Sequence, residues 1–420
     1  MDLATESELF QLDGEATDVL GEARRLHARG RLVPAVADGI RCWATGDHEV
    51  AMAVLKGDTF KKHPRHWADL RNGLVPDTVP ILEFVTMPGM LNEDDHRHRE
   101  LRGLVSSAFT PRRVEELRPR IEAIVDELIA ELSQASPASP DSFIDLRHRF
   151  AFPLPMQVIC HLFGLDLVSS ETLAWDYATL HDSRSSPEQA AEAKAAVLAV
   201  IAGLIADKRQ NPGDDLASAL IGATNGEGAT LDDELLLYTL MLFLFAGHET
   251  TTNLISNALK ALSQHPDQLA RVRAGEVPVK DVVEEVLRYN SPIHSIMFRY
   301  ATEDTEVPGT DVTVKKGDAV AVFVAATGRD TAVFGPQSDV FDPSRRPAAS
   351  HLSFGQGAHF CIGAPLARMM ATTALTKFLR HFDWDPTGAP ATRPISSYSS
   401  NADTAYFARL SPRKDVPLAA

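Results

Sequence analysis

Cysteine is scarce in this chain. Its 420 residues include three, Cys42, Cys160 and Cys361, far apart and with no Cys-x-x-Cys pair. That excludes a disulfide framework and a structural zinc site and suits a reducing compartment, so a cytoplasmic protein is expected. Positive charge is also short: 41 Lys and Arg stand against 57 Asp and Glu, a net charge of −16. A nucleic-acid binder would carry a concentrated basic face instead. No run of 18 apolar residues occurs, so no membrane span is expected; the longest apolar stretch, residues 235–247, is too short and reads as a buried helix. The first 18 residues are acidic and lack the basic region and apolar core of a signal peptide. Residues 133–142, rich in Ser, Pro and Ala, read as a loose linker, but there is no internal repeat and no boundary that splits the chain, so a single domain over residues 1–420 is expected.

What is present gathers in four short stretches. In one, Phe354-Gly355-Gln356-Gly357-Ala358-His359-Phe360-Cys361-Ile362-Gly363 leads into a helix-like segment over 364–378. Gly355 and Gly357 lack a Cβ, so the backbone can turn tightly and pass close to a flat object. Cys361 falls at the start of the helix, where exposed N–H groups and the dipole favour a thiolate. A thiolate held this way can serve as an axial ligand of a haem iron. A lone cysteine is more often a small buried apolar residue; it is the ten-residue setting that favours the ligand. The glycines spell no dinucleotide fingerprint, because Phe360 stands in the third glycine's place.

A second stretch lies in residues 231–262, which read as one long helix with Asp232, Asp233 and Glu234 at its positive end. Its middle is Ala246-Gly247-His248-Glu249-Thr250-Thr251. Glycine costs about 1 kcal/mol against alanine in a helix, and threonine is β-branched, so the ladder is expected to open here, as it often does at working sites. A plain packing notch is the competing explanation. His248-Glu249 does not begin a zinc-protease motif, since Thr252 replaces the second histidine.

The other two stretches are pairs. On a helix over 95–108, His98 and Arg102 are four residues apart and share a face; by itself this reads as a solvated basic face. On a helix over 279–289, Glu285 and Arg288 are three apart, which in isolation is an ordinary surface ion pair.

Elsewhere, Leu32–Val36 and Ile40–Trp43 read as strands joined by the turn Ala37-Asp38-Gly39. Residues 56–92, rich in Pro and Gly, read as a long functional loop whose apolar residues face a cavity. Helices are expected over 16–29, 47–55, 114–132, 143–163, 169–180 and 187–209, and a strand over 293–300.

The pattern Phe354-Gly355-x-Gly357-x-His359-x-Cys361-x-Gly363 resembles the haem-binding loop of the cytochrome P450 family, and all four stretches occur in the order that the resemblance requires, over nearly the whole chain. It implies a mainly α fold with small β-sheets, with haem b between a long central helix and the loop of its ligand Cys361. It implies that His98, Arg102, Arg299 and His359 hold the haem propionates, that Phe354, Gly355 and Gly363 shape the loop, and that Ala246 and Gly247 leave room above the iron. The stretch Ala246–Thr250 resembles the family's oxygen-activating segment, in which Thr250 would hydrogen-bond dioxygen and nearby water while Glu249 relays protons. Glu285 and Arg288 would form a structural pair buried beneath the haem loop. Pocket candidates are Phe84, Val85, Met87, Leu242, Phe243 and Ala246, with Ile293, His294, Ile296 and Tyr398 from the second half.

The resemblance further implies a monooxygenase that inserts one atom of O2 into an apolar small molecule, by hydroxylation or epoxidation in secondary metabolism. Ferredoxin and its reductase are the expected electron donors, with Arg112 and Arg113 offered for docking. A monomer is expected, bound to neither nucleic acid nor membrane. Peroxide-driven oxidation or oxidative coupling is the second reading; the retained Glu249–Thr250 pair favours O2. A non-catalytic haem sensor is the third, though no signalling segment is evident.

Overall fold

The computed structural model describes residues 9–76, 79–135, 142–165, 173, 176, 179, 186–224, 228, 230–346, 350–392, 394–395 and 399–413. They divide into two units, each drawn from separated parts of the chain: Met1–His98, Glu284–Cys361 and Pro394–Asn401 in one, Arg99–Val283, Ile362–Arg393 and Ala402–Ala420 in the other.

The first unit is built on a six-stranded sheet. Its order is β1 (Phe10–Gln11), β2 (Val33–Ala37), β3 (Ile40–Thr45), β9 (Ala319–Val322), β6 (Ile296–Ala301) and β4 (Phe60–Lys61). The expected hairpin is β2–β3, antiparallel with Ala37 opposite Ile40. Asp38 (φ 49°) and Gly39 (φ 79°) both take the left-handed conformation, the combination that matches the twist of the flanking strands. Beside this sheet lies a two-stranded one, β7 (Thr305–Glu306) with β8 (Thr313–Val314).

Trp67, Phe298, Tyr300 and Phe323 head the core of this unit. The stretch 56–92, expected to be a lid over a cavity, feeds much of its apolar content into that core instead: Val75, Val79 and Val85 are buried there, with Ile81, Leu82 and Phe84 packed against them. Val85, expected in a substrate pocket, is therefore a core residue. His294 is a second correction. Its side chain is 0% exposed, its Nε2 lies 3.0 Å from Glu22 Oε2 and its Nδ1 2.9 Å from Ser295 Oγ, and its ring packs 4.3 Å from Phe323. Glu22 also accepts from Asp13 N at 2.9 Å, so the pair ties residues 13–29 to the sheet rather than facing a ligand.

Glu285 and Arg288 are 4% and 2% exposed. The guanidinium meets the carboxylate twice, at 2.8 and 2.7 Å, and donates to Gly328 O, Ser338 O and Val340 O at 2.6, 2.7 and 3.1 Å. Glu285 also accepts from Asp342 N at 2.8 Å. The same helix, Val279–Tyr289, receives the Ser353 hydroxyl on Leu287 O and His351 Nε2 on Glu284 at 3.2 Å.

The second unit surrounds the 32-residue helix Asp233–Gln264, called the central helix below; Asp232 caps it by accepting from Leu235 N. It packs on Pro153–Phe163 and Ala364–His381. The helix expected over 114–132 is broken at Leu117 into Pro111–Glu116 and Arg118–Ala135, because Pro119 has no N–H to continue the ladder. The helix expected over 143–163 is three elements: β5 (Ile144–Asp145), a five-residue π-helical turn Arg147–Ala151 and the helix Pro153–Phe163. Pro153 and Pro155 interrupt the ordinary ladder, and Phe152 N reaches back five residues to Arg147 O at 2.8 Å. A three-stranded sheet, β10 (Phe382–Asp385), β11 (Phe407–Pro412) and β5, completes the unit.

One helix among the described residues, Glu188–Gln210, is long and apolar enough to cross a membrane by length and composition, although no such segment was expected; alanine supplies much of its apolar character. The helix expected over 169–180 lies largely outside the described residues, as does Tyr398.

Two substitutions test these assignments. Glu285→Gln strands the guanidinium and is expected to cost about 3–5 kcal/mol, the range for breaking a buried pair; an unchanged unfolding midpoint would mean that the carbonyls suffice. His294→Leu leaves Glu22 buried without its partner and is expected to cost about 1–3 kcal/mol while substrate affinity stays the same. Altered substrate binding at native stability would return His294 to the pocket.

Candidate functional site

Within the first unit, the loop from Phe354 to Cys361 is set by two left-handed glycines, Gly355 at φ 68° and Gly357 at φ 76°. At Gly357 space is limiting too, since a Cβ would come within 2.7 Å of Leu55 O. Gly355 N bonds Leu352 O at 2.8 Å, a 3₁₀ turn follows over Gly357–His359, and Cys361 N returns to Phe354 O at 2.9 Å. The cysteine amide is thus pinned to the start of its own loop. Gly363 is the N-cap of the helix Ala364–His381 at φ −80°, a conformation open to any residue, so its glycine is not required by the backbone there.

The three cysteines differ in the way this demands. Cys42 is buried, and burial pushes its thiol up to about 12. Cys160 is buried as well, whereas Cys361 is partly exposed. Of the three, Cys361 alone is not fully buried.

Two further groups in this unit suit an anion. The His98 and His359 rings lie together, centroids 4.1 Å apart. Arg299 is 4% exposed, and among the described residues its side chain makes one hydrogen bond, a long 3.5 Å to Phe298 O. Removal from water lowers this guanidinium to about 10. A buried arginine without a carboxylate is costly unless another anion meets it. Of the expected pocket residues in this unit, Ile296 Cδ1 would lie 3.9 Å from a Cβ on Gly355. Ile293 and Ile296 pack partly buried on the cluster around Val50, Val54 and Leu55, Phe84 is half-buried, and Met87 is buried.

Within the second unit, the central helix runs through Ala246–Thr252 without a break, so the expected opening of the ladder is absent. Instead Thr250 Oγ1 donates to Ala246 O at 2.6 Å and Thr252 Oγ1 to His248 O at 3.0 Å. Gly247 is a packing notch: a Cβ there would lie 3.1 Å from Ile159 Cδ1. Ala246 is exposed, Leu242 buried, and Phe243 half-buried with its ring edge-on to Phe109 at 5.4 Å.

Glu249 carries a partner that sequence spacing does not reveal. Arg147 Nη2 donates to its Oε1 at 2.8 Å, and Nη1 to Asn253 Oδ1 at 2.8 Å. Arg147 is set by the π-helical turn, whose start is held by Asp145 Oδ1 accepting from Arg147 N and Tyr406 N, each at 3.0 Å. His248 points away from Glu249 into the protein, donating from Nε2 to Phe152 O at 3.0 Å. Arg102 lies one turn beyond His98 on Asp95–Ala108. Arg112 and Arg113, offered for docking, are paired with Glu116 and Asp214 at 2.8 and 3.4 Å. Among the described residues, no group of three or more His, Cys, Asp or Glu side chains forms a metal site.

Comparison with known proteins agrees with this arrangement. The family model for cytochrome P450 matches residues 178–277 and 278–404. The chain is 39% identical over 362 residues to 2-hydroxy-5-methyl-1-naphthoate 7-hydroxylase of Streptomyces carzinostaticus, covering 86% of each. It is 40% identical over 343 residues to the P450 monooxygenase PikC of Streptomyces venezuelae, covering 81% of this chain and 78% of that one. The testosterone-bound structure of CYP154C4 from Streptomyces sp. ATCC 11861 superposes with a TM-score of 0.90 at 36% identity, covering 98% of this chain and all of the other. The chain therefore belongs to the cytochrome P450 family, the haem b-dependent monooxygenases.

Proposed function

We propose that the chain hydroxylates or epoxidises an apolar small molecule of secondary metabolism, with Cys361 as the haem ligand. The observation that carries this reading is the Cys361 loop: two left-handed glycines and the Phe354 O bond fix the backbone of the one cysteine that is not fully buried. The residues fit haem b. Among the described residues no carboxylate pairs with the buried guanidinium of Arg299, and His98 and His359 offer two imidazoles side by side; these three, with Arg102, would hold the propionates. Bound there, haem supplies the activation of O2 and the insertion of one oxygen atom, the other leaving as water with two electrons and two protons.

The protein's own part is to hold and move those protons. Thr250 Oγ1 is the last donor, released from Ala246 O when it turns to serve the reaction. Glu249 brings protons to it and must first let go of Arg147, a positioned acid acting by general acid–base transfer. Ala246, exposed on the helix, keeps side-chain bulk off that stretch, while Gly247 admits Ile159. The apolar candidates for substrate contact are Phe84 and Ile296 within the first unit and Leu242 and Phe243 within the second. The substrate class follows the relatives, one named for hydroxylating a naphthoate and another solved with testosterone. A ferredoxin with its reductase supplies the electrons, and one monomeric domain over residues 1–420 in the cytoplasm is the working form.

Thr250→Ala should lower product formation by roughly 10²-fold, the low end for a positioned proton donor, while electron consumption continues; a fully coupled variant would remove Thr250 from proton delivery. Cys361→Ser should abolish the reduced carbon monoxide band from which the family takes its name; if the band persists, the ligand lies elsewhere. Brisk turnover with peroxide and little with ferredoxin would favour the peroxide reading.

A further inference from the structure

Lys62 follows β4 and its side chain is 4% exposed. Its Nζ donates to Met297 O at 2.7 Å and to Phe298 O at 3.4 Å, the two carbonyls immediately before Arg299. The Arg299 guanidinium ends on that same Phe298 O. Among the described residues, neither cation makes an ion pair. Asp94, whose charge is felt by both, is occupied: it accepts from Lys62 N at 2.7 Å and His63 N at 2.9 Å, and lies 3.8 Å from His66 Nε2. Two buried cations thus share one carboxylate and one carbonyl, leaving the place short of a negative charge.

We propose that Lys62 is a positioning residue for a haem carboxylate: it fixes the backbone ahead of Arg299, and the two side chains act as one anion subsite. The proposal rests on the reading of Arg299 as a propionate partner. Burial, reinforced by the like charge of Arg299 and opposed by Asp94, pulls the Lys62 ammonium well below the usual lysine range, so an arriving carboxylate is what would keep it charged. A lysine serving only as a peg between β4 and β6 would gain nothing from that carboxylate.

The test is haem loss from the holoenzyme to excess apomyoglobin. Lys62→Met should lose haem about tenfold faster, the lower end for removing a group that orients a ligand, without moving the reduced carbon monoxide band. The apoprotein should unfold at the same temperature or higher, because a buried unpaired charge has been removed. Lys62→Gln, which keeps a donor for the carbonyls but no charge, should show the same acceleration. In the Lys62→Met, Arg299→Met double variant, loss should be no faster than with Arg299→Met alone. Haem loss within twofold of the parent, or a lowered apoprotein midpoint with haem loss unchanged, would make Lys62 a structural peg and overturn the proposal. A parent protein without the thiolate band would sink the Cys361 assignment instead, while the ratio of haem-loss rates would still decide the role of Lys62.

Discussion

The backbone that leads to Cys361 is anchored on the helix of a buried ion pair. Glu285 and Arg288 saturate each other, and the guanidinium takes up three carbonyls from residues 328–340. The helix carrying them also receives Ser353 and His351, the residues that lead into the cysteine loop. Gly328 is required beside the pair because a Cβ would collide with Arg288 O. The loop itself then needs only two left-handed glycines and one amide bond to present Cys361. Rigidity is supplied from behind the loop.

The Glu249 stretch follows a different logic. Its residues are held, but by bonds that can be exchanged: Thr250 to a carbonyl of its own helix, Glu249 to a guanidinium on another element. A hydroxyl bonded four residues back keeps the helix continuous while its donor stays available for something better placed. Arg147 and Asn253 hold the acid in one orientation, and the π-helical turn sets Arg147 at the height of Glu249. The Glu249 stretch is thus held by single exchangeable bonds, whereas the Glu285–Arg288 pair is buried and bonded on every side.

How much of this was legible in the residues depends on how local each signal was. The β2–β3 hairpin, the helices Asp95–Ala108 and Val279–Tyr289, and the glycine–cysteine loop all depend on neighbours in sequence, and these are found where expected. Features set by distant partners were hidden. Nothing near Glu249 announces Arg147, 102 residues earlier. His294 looked like a pocket residue because its partner Glu22 is 272 residues away. Gly247 was ambiguous between a loosened ladder and a notch, and only Ile159, on another helix, decides for the notch. Proline misled by its chemistry rather than its distance: Pro119, Pro153 and Pro155 broke helices whose apolar periodicity ran straight through them.

The sealing of two thiols has its own consequence. Cys42 and Cys160 are shut away from solvent, so alkylating and oxidising reagents have one sulfur to find. Among the three cysteines, that sulfur is the one open to oxidation, and oxidation to the sulfinic stage is not reversed by ordinary thiols. If Cys361 is the haem ligand, bound cofactor would shield the one accessible thiol from oxidants.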